Sequence, residues 1–308
     1  MGEGKTERDC TLIGDGEERG TEREMDSAGA EIVNPGEGRP VDILYVVGKG
    51  SVANDWELRY SLRSLERFAN HESIGRVIVV GKPPEFLSDA VVRLKIPDIP
   101  DKRKHWNIIN CISTAVKGLG IDRPFLYSSD DHFLAAQADF RRHPVFCRFQ
   151  FKDGLVFGEK EFADWAKRTN RRVKPSKYQK CLIATRALLD AEGIPAFWTS
   201  WHGNTWMFPD CIDEAMSLYG KYADKFPTPL GYEPTIMINA IRAKRLMDSQ
   251  KHIDFVRLPR DVKSDRLPVI QKLAMEEGWF SVGDEAWLDT AFRAFMFGLY
   301  MRPCRYEK

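Results

Sequence analysis

The chain reads as an α/β protein: a mostly parallel sheet flanked by helices, followed by a mainly helical C-terminal half. Two observations predict this. Strands alternate with helices from residue 41 to about residue 135. The first of those strands is a nearly continuous β-branched and aromatic run, the pattern of a strand covered on both faces.

Residues 1–38 are rich in Gly, Glu, Arg and Thr with only isolated apolar positions, too little to offset the entropy of ordering, so a disordered N-terminal tail is expected there. Residues 39–308 are expected to form a single domain. VDILYVVG (41–48) opens it as a strand, and GKGS (48–51) breaks the strand as a tight turn. The G-x-x-x-x-G-K-[ST] spacing of an ATP-type loop is absent. In residues 54–69, Asn54 or Asp55 can cap a helix whose Leu58, Leu62, Leu65 and Phe68 recur on one face. RVIVVG (76–81) and VVRLKI (91–96) are the next strands. HWNIINCISTAVKGLG (105–120) is a helix ended by glycine, and PFLYSSDDHFL (124–134) is a further strand. FCRFQFKDGLVF (146–157) suggests paired strands around a Lys-Asp-Gly turn. Helical spacing follows near 159–168, 177–192, 210–225, 234–247 and 268–277, and DEAWLDTAFRAFMFGLY (284–300) reads as one buried helix.

The 46 Lys and Arg nearly cancel 45 Asp and Glu, so no global field marks the 308-residue chain as a nucleic-acid or membrane-surface binder. No stretch approaches the roughly 18 apolar residues of a membrane span, and the N-terminus lacks the apolar centre of a signal peptide; a cytoplasmic protein is expected. The six cysteines (10, 111, 147, 181, 211, 304) are far apart, without C-x-x-C or close Cys/His spacing. They read as reduced, mostly packed thiols rather than a zinc or disulfide framework.

The informative stretch is the end of PFLYSSDDHFL. Asp130 and Asp131 are adjacent anions that repel each other and lose hydration together, so they need a cation, donors or an open site. In a parallel sheet, ligands bind at the carboxyl ends of strands, which puts SSDDH and GKGS on one rim. An acidic pair there suits Mg²⁺ or Mn²⁺ bridging carboxylate and diphosphate oxygens.

That arrangement is similar to GT-A-type glycosyltransferases, a Rossmann-like fold in which an acidic cluster holds a metal against a nucleotide diphosphate. ELRYSLRSLERFANHESIGRVIVVGKPPEFL (57–87) closely resembles a block of the Stealth family of sugar-phosphate transferases. FLYSSDDHFL resembles that family's F-x-Y-x-N-D-D-x-F-F block, with Asp130 and Asp131 on its aspartates and Ser129 in place of asparagine. GIPAFWTSWHGNTWMFPDCIDEAM (193–216) loosely resembles a later block, with His202 on its histidine, and WFSVGDEAW (279–287) resembles the last, with Asp284 on its aspartate. The first block departs: YVVGKGS stands where the family has Y-x-W-V-D-G.

The resemblance implies a metal-dependent transferase taking a nucleotide-sugar donor and a glycan or other hydroxyl acceptor, with Asp130 and Asp131 as metal ligands. Gly48, Lys49, Ser51, Arg59, Lys102 and Asn107 are candidate donor-binding residues, and His202, Glu233 and Asp284 are alternative candidate bases. Arg59 is the family's arginine, whereas Arg63 is expected in water beside Glu66. Lys102, Arg103, Lys104 and His105 precede a helix and suit phosphate or acceptor contact. His132 points to the face opposite the acids if the strand continues, and the aromatics of TSWHGNTW suit a sugar or base. Three other readings stay open: sugar-1-phosphate transfer, glycosylation of hydroxymethylated DNA through the basic loops 101–105, 141–148 and 167–180, and a non-catalytic sugar-nucleotide-binding module.

Overall fold

The computed structural model describes residues 35–36, 38–48, 55–100, 103–147, 158–168, 174–196, 203–226, 228–249, 255–257 and 263–308. Nearly all of the expected tail lies outside them. Among them the strands are β1 (Val41–Val47), β2 (Ile74–Gly81), β3 (Val91–Lys95), β4 (Phe125–Ser128), β5 (His132–Leu134), β6 (Val145–Cys147), β7 (Thr205–Met207), β8 (Phe255–Arg257), β9 (Lys263–Ser264) and β10 (Trp279–Val282). The helices are α1 (Trp56–Phe68), α2 (Lys104–Leu119), α3 (Glu159–Arg168), α4 (Lys177–Ala191), α5 (Pro209–Lys221), α6 (Pro234–Asp248), α7 (Leu267–Glu276) and α8 (Thr290–Leu299).

The main sheet has the order β3-β2-β1-β4-β7. β1, β2, β3 and β4 are parallel and β7 runs antiparallel beside β4. Ile43, Leu44, Ile78, Val79 and Val80 are fully buried, as their unbroken apolar runs require. The order reverses between β1 and β4, which makes their carboxyl ends the natural crevice of the sheet. Gly81 closes β2 at φ 96°, where a Cβ would stand 2.3 Å from the Val47 carbonyl oxygen, so glycine alone fits beside the end of β1. α2 ends at Gly120 with φ 61°, as its glycine predicted.

A second sheet, β5-β10-β9, carries its own core of Phe133, Phe280, Trp287, Phe292, Met296 and Tyr300, closed on one side by Tyr60 of α1. The C-terminus returns to α1: Glu307 accepts from Arg59 and from two nitrogens of Arg63. Arg63 is thus buried in an ion pair, not solvated beside Glu66. Among the described residues no helix is long and apolar enough to cross a membrane.

Three expectations change. PFLYSSDDHFL is two strands in two sheets, because a covered strand cannot continue through two carboxylates; the chain turns at Ser129, whose carbonyl accepts from His132 N–H at 3.3 Å. Residues 284–300 form a 3₁₀ turn, Asp284–Leu288, and then α8. Asp289 divides them by accepting from Ala291 N–H, while Leu288 and Phe297 face solvent, so the segment buries one face only. β6 pairs in parallel with β8, and residues 148–157 of the expected hairpin lie outside the described residues.

Candidate functional site

Tyr45 pairs with Ser128, so β1 and β4 finish together, with exposed Gly48 closing one and Ser129 to Asp131 following the other. The acid loop is held from three sides. α1 supplies Ser64, whose Oγ accepts from Leu134 N–H at 3.1 Å, and Ser61, whose hydroxyl meets Tyr45 Oη at 3.0 Å. β10 runs antiparallel to β5, and Val282 N–H donates to the Asp131 carbonyl at 3.3 Å. β9 supplies Lys263, whose Nζ is 3.1 Å from Asp131 Oδ2. Segments 57–87 and 125–134, two of the four that carry the Stealth resemblance, therefore pack directly on each other.

The site's charge is predominantly negative. Burial, then Asp131 and then buried Glu57 push the Asp130 carboxyl up to about 7, with Lys104 acting weakly the other way. Burial works against the Lys263 ammonium, but Asp131, Asp265 and Asp284 together raise its pKa. Asp284 follows β10 on an exposed turn and, like Asp131, acts on Lys263. Glu57 and Lys263 join the site only in the fold: Glu57 lies inside the ELRYSLRS stretch, while nothing in the sequence around Lys263 marks it.

Other candidates sit elsewhere. Arg59 donates to Glu307 at 2.9 Å and lies 3.7 Å over the Phe86 ring, facing the C-terminus. Asn107 Oδ1 accepts from Ile99 N–H at 2.9 Å and braces the loop before α2. Trp206 of TSWHGNTW is a core residue of β7 whose indole donates to the His143 carbonyl, not an aromatic wall for a ligand. His132 is buried in β5. Lys49, Ser51, Lys102 and His202 lie outside the described residues.

Glu233 caps α6, its Oε1 accepting from the Thr235 hydroxyl at 2.9 Å. Its Oε2 is 3.7 Å from His105 Nε2, and His105 Nδ1 is 3.2 Å from Cys181 Sγ. His105 is thus a buried residue and not part of a basic surface loop. Burial, then the Glu233 charge, push the Cys181 thiol far up. The Tyr127 phenol on β4 is pushed up by burial and then by Glu233, Asp130 and Asp131, so it lies in the field of both clusters.

The chain matches no model of a known protein family. No curated protein is significantly similar to it.

Proposed function

We propose that the chain is a metal-dependent transferase that uses a sugar nucleotide to glycosylate an acceptor hydroxyl, on a GT-A-like fold. The observation that carries this reading is the pair Asp130 and Asp131 at the carboxyl end of β4, beside the end of β1, where the strand order reverses. Parallel β1 to β4 followed by an antiparallel strand beside β4 fit that fold.

The residues fit a hard cation. Asp130 and Asp131 offer oxygen donors, and the anionic surroundings that lift Asp130 favour one. Mg²⁺ or Mn²⁺ held there would supply charge to a leaving diphosphate. Lys263 and Lys104 add positive charge beside the acids, and Gly48 leaves space above the end of β1. In glycosyl transfer the acceptor oxygen bonds to the anomeric carbon as the bond from that carbon to the diphosphate oxygen breaks. The electron pair leaves on the diphosphate and the acceptor proton passes to a base. Asp284 suits that role best, because it is exposed on the acid rim whereas Glu233 is committed to His105 and Thr235.

The Stealth resemblance supports a second reading, attack at the β-phosphate with transfer of sugar phosphate, and the packing of segments 57–87 and 125–134 on each other favours keeping it. Identifying the nucleotide released from UDP-, GDP- and TDP-sugars with Mn²⁺ tests both. Nucleoside diphosphate supports glycosyl transfer, and nucleoside monophosphate supports sugar-phosphate transfer. A rise in melting temperature that requires both Mn²⁺ and the sugar nucleotide supports either transfer, and no rise with any of the three in Mn²⁺ would contradict both.

A further inference from the structure

We propose that His105, Cys181 and Glu233 form a second metal site, one that takes a borderline divalent ion of the zinc class. The three come from the first turn of α2, the first turns of α4 and the cap of α6, separated by long stretches of sequence, which is why no ligand spacing announces them. All three are buried, and one ligand atom from each lies within 4.8 Å of the others. Bonds of about 2.0–2.3 Å in a tetrahedral site set ligands about 3.3–3.8 Å apart. The imidazole stands between the other two, Nδ1 toward Cys181 and Nε2 toward Glu233, so on binding it must turn to bring one nitrogen to an ion shared with both.

The surroundings hold the ligands for this. Glu233 uses Oε1 for its cap and turns Oε2 toward the imidazole, leaving that oxygen to ligate. Thr185, one turn beyond Cys181, accepts from the Glu233 backbone N–H at 2.8 Å and ties the α6 cap to α4. The His105 backbone N–H donates to the Leu230 carbonyl at 2.9 Å, tying α2 to the same loop. These bonds hold the backbones that carry the three side chains in place. Among the described residues, the ion-pair partner of the buried Glu233 carboxylate is His105, and no lysine or arginine reaches it. A thiolate, an imidazole and a carboxylate together select a borderline metal over Mg²⁺ or Ca²⁺. Three protein ligands leave a fourth position open.

The test titrates Co²⁺ into chelator-stripped full-length protein and reads absorption. The expected result is a thiolate-to-cobalt charge-transfer band with tetrahedral visible bands, saturating at one equivalent and displaced by Zn²⁺. Cys181→Ser should lose the charge-transfer band while keeping its far-ultraviolet circular dichroism. Glu233→Gln, which preserves the cap, should weaken Co²⁺ by about tenfold or more. Asp130→Asn with Asp131→Asn should leave the band in place, so failure here is distinct from failure at the acid rim. Wild-type protein without the band at millimolar Co²⁺, or a band that survives in Cys181→Ser, would overturn the proposal.

Discussion

Lys263 Nζ stands 3.1 Å from Asp131 Oδ2, a contact between residues 132 positions apart that ties β9 to the loop ending β4. The fold thus places a cation of its own against one of two adjacent acids. Lys263→Met leaves Asp131 beside Asp130 without that cation and is expected to cost about 1–3 kcal/mol at neutral pH, read by urea unfolding. Adding Asp131→Asn should recover part of the loss, and strictly additive effects in that double-mutant cycle would argue against the pairing.

Asp130 gives stability a pH dependence of definite sign. The unfolded chain releases this proton near 3.8 and the folded protein only near 7, so between those values the folded state binds more protons. Stability therefore falls as pH rises from about 4 to about 7 and is level above. In metal-free buffer, the melting temperature of Asp130→Asn minus that of wild type should grow over this range. A constant difference would contradict the shift.

His143 acts in the opposite direction. Burial pushes its imidazole down to about 4 against a weaker pull from the Asn204 carbonyl, with Nε2 2.9 Å from that oxygen. The unfolded chain takes up a proton near 6.5 and the folded one near 4, so this contribution to stability is lost as pH falls through that window. His143→Gln should flatten the loss, measured as the change in melting temperature between pH 7 and pH 4.5; an unchanged slope would count against a neutral buried ring.

The Glu307 carboxylate is 2.6 Å from Arg63 Nε and 2.8 Å from Arg63 Nη2, and it also accepts from Arg59. Burial works against the Glu307 charge, but the two arginines hold its pKa below the usual range. Glu307→Gln leaves the buried Arg63 guanidinium uncompensated and is expected to cost about 3 kcal/mol by denaturant midpoint. A loss no larger than that of an exposed ion pair would show that the clamp is dispensable.

Sequence patterning exposed the elements whose periodicity is set by burial on a wide face. The strands 41–48, 76–81 and 91–96 and the helices of the second half coincide with β1, β2, β3 and α3 to α7 within a few residues. At two places side-chain chemistry overrides patterning. Asp130 and Asp131 split one apolar run into strands of different sheets, and Asp289 split one apolar segment into two helical pieces. β7 and β10 are too short for period-two alternation to show. The acid rim was legible because Asp130 and Asp131 adjoin, and Asp284 came from the resemblance. Lys263, and the meeting of His105 with Cys181 and Glu233, depend on tertiary packing between distant segments.

In the proposed function Asp130 and Asp131 hold a divalent cation against a sugar-nucleotide diphosphate. Nucleotide release from sugar nucleotides with Mn²⁺ tests this, comparing wild type with the Asp130→Asn/Asp131→Asn variant and with chelator-treated protein. The predicted result is metal-dependent release that falls at least about 100-fold in the variant, a loss of roughly 3 kcal/mol of transition-state stabilisation. Turnover that survives both the substitutions and the chelator would contradict it.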